Sequence, residues 1–135
     1  MEAVRFFTKH QWDNRLGRFS SVAFRNSSNN TGISVIDRKC AIDCNRTICA
    51  HILAYYSPPA EHPIIFWSFD KSLLPSEVVV QQSNSSSGDI CHYNIIGFTD
   101  KQARSFMIAN TKDLQSISIC VDGQERPIER RDLVD

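Results

Sequence analysis

The segment Ile64-Ile65-Phe66-Trp67-Ser68-Phe69 constrains the fold more than any other part of this chain. A strand presents successive side chains to opposite faces of a sheet. Here both faces are apolar, so the segment reads as a central strand. Other strand-like stretches cover residues 3–7, 18–24, 33–36, 78–82, 90–98 and 116–121. In the last of these Ile117, Ile119 and Val121 alternate with Ser116, Ser118 and Cys120. Asp122-Gly123 then marks a hairpin turn, and Pro127 keeps the returning strand at a sheet edge.

Two helices are expected. The first covers residues 44–56, with Asp43 or Asn45 as its N-cap. Ile48, Ile52 and Tyr55 share one of its faces, with Cys49 and Tyr56 beside them. Ser57-Pro58-Pro59 stops it, because proline lacks the amide donor and restricts the residue before it. The second opens at Thr99-Asp100-Lys101-Gln102, which has the capping-box pattern. It presents Ala103, Phe106, Met107 and Asn110 on one face and ends near Asn110 or Lys112. Residues 8–16 are polar around Trp12 and suit one helical turn. Residues 26–32 and 83–89 read as loops, the second a flexible one. The charged residues 125–135 are expected to fray or to lie on the surface.

The expected fold class is therefore α+β: a single compact domain over residues 1–135, with a mostly antiparallel sheet of five to seven short strands and two main helices. A chain of this length buries roughly two-thirds of its unfolded surface, enough to fold without disulfides or metals. Fifteen basic and fifteen acidic side chains cancel. That balance argues against a general nucleic-acid or membrane-surface binder, which relies on a basic surplus. No apolar run approaches the roughly 20 residues needed to span a bilayer. The first residues lack a basic segment followed by a long apolar one, so no signal peptide is expected. Five cysteines are an odd number without a disulfide-framework spacing. The expectation is a cytoplasmic protein with reduced thiols. In that setting the Asn-x-Ser/Thr matches at Asn26, Asn29, Asn45 and Asn84 carry no meaning.

Two groups of residues are candidates for a site. His92 shares a strand face with Ile90, Asn94 and Ile96, opposite Cys91, Tyr93 and Ile95. The second face is the better core face, which turns His92 and Asn94 toward a surface or cleft. There an imidazole can act as a general base or hydrogen-bond a phosphate or amide. The bland alternative is a histidine that decorates a sheet. Cys91 and His92 are no dyad, since strand neighbours point apart. The second group follows Gly17: Arg18, Ser20 and Ser21 offer a guanidinium and two hydroxyls to a phosphate or carboxylate. The alternative is a strand start whose serines satisfy local backbone groups. A nucleophilic serine has no Gly-x-Ser-x-Gly elbow here.

Cys40, Cys44, Cys49 and His51 raise the question of zinc, but their spacings match no usual finger or ribbon. Cys49 and His51, two apart on a helix, face different ways. Buried small hydrophobes are the favoured reading, with no metal and no cofactor expected. No Rossmann, P-loop or His-Glu-x-x-His pattern occurs.

Gly17-Arg18-Phe19-Ser20-Ser21-Val22-Ala23-Phe24, then Ile33-Ser34-Val35, then His92-Tyr93-Asn94-Ile95 leading to a helix over 101–109, resemble the pattern of a loose group of small uncharacterised bacterial proteins. The cysteine-rich middle and the central apolar strand lie outside it. The resemblance implies a bacterial or phage origin and a shared site formed by the patterned segments. It supplies no activity.

The expected function is a small binding or regulatory module whose site combines Arg18, Ser20 and Ser21 with His92 and Asn94, and whose partner is another protein or a second copy. The competing expectation is a small toxin-type enzyme, an RNase or ADP-ribosyl-type transferase, in which His92 handles protons and Arg18 holds a phosphate. That enzyme needs Arg18 and His92 in one pocket.

Overall fold

The computed structural model describes residues 1–7, 9–27, 32–58, 63–83 and 87–134. Seven strands form one antiparallel sheet: β1 (Glu2–Phe7), β4 (Ile33–Asp37), β5 (Ile65–Asp70), β6 (Val79–Gln82), β7 (His92–Ile96), β8 (Ile117–Val121) and β9 (Gln124–Pro127). Their order across the sheet is β6-β7-β4-β1-β5-β8-β9. A separate two-stranded hairpin joins β2 (Trp12–Asp13) to β3 (Arg18–Phe19). The α+β class and the strand number agree with the sequence reading. None of the helices among the described residues is long and apolar enough to cross a membrane.

Alternation along the strands divides the side chains between two faces. Ala3, Phe7, Val35, Ile65, Trp67, Ile95 and Ile117 enter the larger core, which helix α3 (Asp100–Asn110) covers through Ala103 and Met107. Phe19 of the hairpin joins the same core, with its ring 4.4 Å from that of Phe7. Val4, Ile36 and Phe66 face the other way, onto α1 (Arg38–Asp43) and α2 (Ile48–Tyr56). The strand at Ile65–Asp70 is thus apolar on both faces because helices lie over both. The capping box at Thr99 forms as expected: Thr99 Oγ1 accepts from Gln102 N at 3.1 Å and Gln102 Oε1 accepts from Thr99 N at 3.0 Å. Asp122 and Gly123, with φ of 52° and 80°, make the positive-φ turn that joins β8 to β9.

Several expectations are corrected. The helix placed at 44–56 starts only at Ile48, as α2, and a separate helix, α1, precedes it at Arg38–Asp43. Asn45 adopts φ 60° and ends α1, and Thr47 rather than Asp43 or Asn45 caps α2, its Oγ1 accepting from Ala50 N at 3.1 Å. The strand placed at 18–24 stops at Phe19 and passes into a 3-10 turn, Ser21–Ala23. Packing decides this: the turn delivers Phe24 into the core, T-shaped against Trp67 at 5.2 Å. The charged end takes the surface alternative and is held there without fraying. Arg126 forks onto Asp132 with two bonds of 2.8 Å, and α4 (Arg130–Leu133) buries Leu133. In the loop at 83–89, residues 84–86 lie outside the described set, yet Asp89 is fully buried.

The largest correction concerns the cysteines. Cys40 is bonded to Cys91, and Cys49 to Cys120, with Cα separations of 5.4 and 5.9 Å. Four thiols that were expected reduced are therefore paired, and Cys44 alone is free and exposed. Spacing could not show this, because the partners lie 51 and 71 residues apart.

Candidate functional site

The sheet is split near its middle. β1 pairs with β5 through six residues, from Glu2↔Asp70 to Phe7↔Ile65, but with β4 only at Ala3↔Asp37 and Val4↔Ile36. Beyond Val4 the two strands part. The Arg5 side chain crosses the gap: Nη1 donates to the Ser34 carbonyl at 2.9 Å and Nε to the Ala23 carbonyl at 3.1 Å. A guanidinium thereby replaces the missing backbone ladder.

A cavity opens on each side of this split, and Arg5 and Ser34 line both. On the α1–α2 face a space of about 270 Å³ has apolar walls from Val4, Phe6 and Ile36, with Arg5, Ser34, Tyr56 and His92 as its polar groups. Register places His92 opposite Ile36, and Asn94 opposite Ser34. On the α3 face a space of about 340 Å³ is lined by Arg5, Arg25, Asn26, Ser27 and Gly32.

The His92 ring is held by its Nδ1, which lies 3.0 Å from both the carbonyl and the hydroxyl of Ser83. A carbonyl only accepts, so Nδ1 carries the proton, and in the neutral ring Nε2 is an acceptor. Asn94 completes the arrangement, its Nδ2 donating to Ser83 Oγ at 2.9 Å. The strand face that carries His92 and Asn94 does border a cleft, although His92 is only 6% exposed.

Tyr56 is fixed by a buried network that sequence reasoning missed. Its hydroxyl donates to Asp89 Oδ2, while Asp89 Oδ1 lies 2.8 Å from His51 Nε2 and accepts from Cys91 N at 2.8 Å. Asp89 and His51 are 0% and 1% exposed, too deep to meet a solute directly. This network, beside the Cys40–Cys91 bond, ties the end of α2 to the start of β7. His51 and Cys49 do face different ways on α2, toward Asp89 and Cys120. Of the cysteines taken from the sequence as buried small hydrophobes, Cys40 is bonded to Cys91, Cys49 to Cys120, and Cys44 is exposed.

The remaining sequence candidates lie elsewhere. Arg18 is exposed on the hairpin that covers the α3 face, away from the His92 cavity. The requirement of the enzyme reading, that Arg18 and His92 line one pocket, is not met there. Ser20 Oγ is buried without a hydrogen-bond partner among the described residues, and its amide donates to the Gln11 carbonyl at 2.6 Å. The side chain of Ser21 lies outside the described set. The cation that does enter the cleft, Arg5, left a signal in the sequence: it stands between Ala3 and Phe7 on the otherwise apolar, core-facing side of its strand. Burial, and then the nearby Arg25 charge, lower its pKa to about 10.

Comparison of the chain with protein-family models, curated proteins and solved structures finds no match.

Proposed function

We propose that this chain is a small-ligand binding module whose site is the cleft where β1 and β4 part. One observation carries the reading: His92 and Ser34, from adjacent strands, line a preformed cavity with apolar walls, and His92 Nδ1 is already committed to Ser83. That leaves Nε2 to accept a hydrogen bond from a ligand. A concave, mostly apolar space with a few fixed polar groups is the usual form of a small-molecule site. Its volume suits a compact ligand, a small ring carrying an N–H or O–H donor. The convergence of Ser34 with His92 also agrees with what the bacterial resemblance implies, a site shared by the patterned segments. Both disulfides support an oxidising compartment over a reducing cytosol.

The test is a fragment screen on the full chain, read from NMR shifts of His92, Tyr56 and Phe6. Donor-bearing rings are expected to shift these three together, and His92→Phe is expected to weaken binding by about tenfold, the loss of one hydrogen bond left unmade. Fragments that bind only elsewhere, or that bind His92→Phe as well as the parent chain, overturn the reading.

A further inference from the structure

The cavity on the α3 side of the split has a different chemistry. We propose that it is a seat for a phosphomonoester dianion, gripped between the guanidinium groups of Arg5 and Arg25. This deepens the cleft reading, since Arg5 and Ser34 belong to both cavities.

Among the described residues two cations line this space and no carboxylate does. Arg5 has five N–H donors and uses them on two carbonyls, those of Ala23 and Ser34. Donors therefore remain after its structural bonds are made. Arg25 is exposed and has no hydrogen bond or ion pair among the described residues. Asp100, which is bonded to the lining residue Asn26, is already engaged: its Oδ1 accepts from Asn26 N and from Asn26 Nδ2, both at 3.0 Å. Asn26 Nδ2 also donates to the Phe98 carbonyl at 2.9 Å. These bonds clamp the segment that carries Arg25 to the start of α3, so the second guanidinium hangs from a fixed backbone. Gly32 closes the cavity, with φ of 104° and no room for a Cβ, which would lie 2.7 Å from the Ile95 carbonyl.

Electrostatics point the same way. A buried cation whose pKa is lowered is one whose charge the fold disfavours, and at neutral pH Arg5 keeps that charge. An anion between Arg5 and Arg25 relieves both the burial and the mutual repulsion. Guanidinium groups suit phosphate because their forked donors match its oxygens. Two of them match the charge of a phosphomonoester better than that of a carboxylate. A space of about 340 Å³ also leaves room for a small organic body beyond the phosphate.

The experiment titrates the full chain with inorganic phosphate and with glycerol phosphate, against equal ionic strength of chloride, by calorimetry and amide NMR. Saturable binding of both phosphates is expected, with shifts at Arg25, Asn26 and Ser27. Arg25→Gln, an exposed substitution, is expected to weaken binding by about tenfold, as loss of one charge-assisted pair does. Arg104→Gln on the exposed face of α3 makes the same change in net charge and is expected to have no effect. No heat above the chloride reference, or equal binding by Arg25→Gln, overturns the seat. Fragments that shift His92 in a protein blind to phosphate overturn the anion seat alone. Phosphate binding at Arg25 without any fragment binding at His92 supports the seat and removes only the first reading.

Discussion

Arg5 Nη1 donates to the Ser34 carbonyl across 2.9 Å, at the point where β1 and β4 cease to pair. The bond makes one side chain both a structural tie and the floor of two cavities. Arg5→Met keeps much of the stem and removes the donors, leaving the carbonyls of Ser34 and Ala23 without them. A loss of about 2–4 kcal/mol is expected in urea denaturation, mostly from those orphaned acceptors. A loss below about 0.5 kcal/mol shows that the gap closes without its guanidinium.

The disulfide pairing makes a chemical statement. In the folded, unreduced chain Cys44 alone is expected to react with iodoacetamide, giving one adduct by mass spectrometry; reduction and unfolding expose all five thiols. Replacing Cys49 and Cys120 together by alanine is expected to cost about 2–4 kcal/mol, chiefly by freeing the unfolded chain. More than one adduct in the native chain contradicts the pairing.

Asp89 accepts hydrogen bonds from a helix, a ring and a backbone amide, all inside the protein. Asp89→Ala leaves the Tyr56 hydroxyl, the His51 ring and the Cys91 amide short of an acceptor. The expected loss is about 3–5 kcal/mol. Tyr56→Phe removes one of these bonds and is expected to cost about 1 kcal/mol. An Asp89→Ala chain as stable as the parent would mean the network is not formed.

Acid is expected to loosen the C-terminal helix first. The Arg126 fork, with the Glu129 amide, holds Asp132 at about pKa 2, below the ordinary carboxylate value. A depressed carboxylate contributes stability above its unfolded pKa and loses it as pH falls through the folded one. The window is therefore from about pH 4 down to about 2. Amide exchange at Arg130–Leu133 should rise across it, and Asp132→Asn should exchange fast at all pH values. Exchange that is flat with pH in the parent chain argues against the Arg126 tie.

Local signals in the sequence carried a good deal of this structure. The doubly apolar central strand, the Thr99 capping box, the Asp122-Gly123 turn and the edge position of Pro127 all depend on neighbours within a few residues. Helix α1 had no such signal, since Ala41 is its one buried residue. The strand expected at 18–24 has strand-like alternation to its end, and only distant rings, those of Trp67, Phe69, Phe98 and Phe106, draw Phe24 into the core. At the site, His92 and Asn94 were legible from alternation. Arg5 showed only as a lone cation on the core-facing side of β1, and what it does depends on β1 and β4 parting, which neither strand encodes alone. Arg18 drew attention by its neighbours in sequence, yet its strand belongs to a hairpin on the other face. Asp89 was hidden in a loop-like composition, and its partners His51 and Tyr56 come from a helix more than thirty residues away.

The position of β1 has a consequence for how the chain is made. β1 precedes both of its neighbours, β4 and β5, in the chain yet lies between them in the sheet, so neither of its edges can be covered until they have followed. The second flank waits for Asp70, and the Cys49 thiol waits for Cys120. Until then a nascent chain exposes an apolar ribbon with both edges open and its oxidisable thiols unmatched. A protein built this way depends on whatever shields that ribbon during synthesis, long before any ligand meets the cleft.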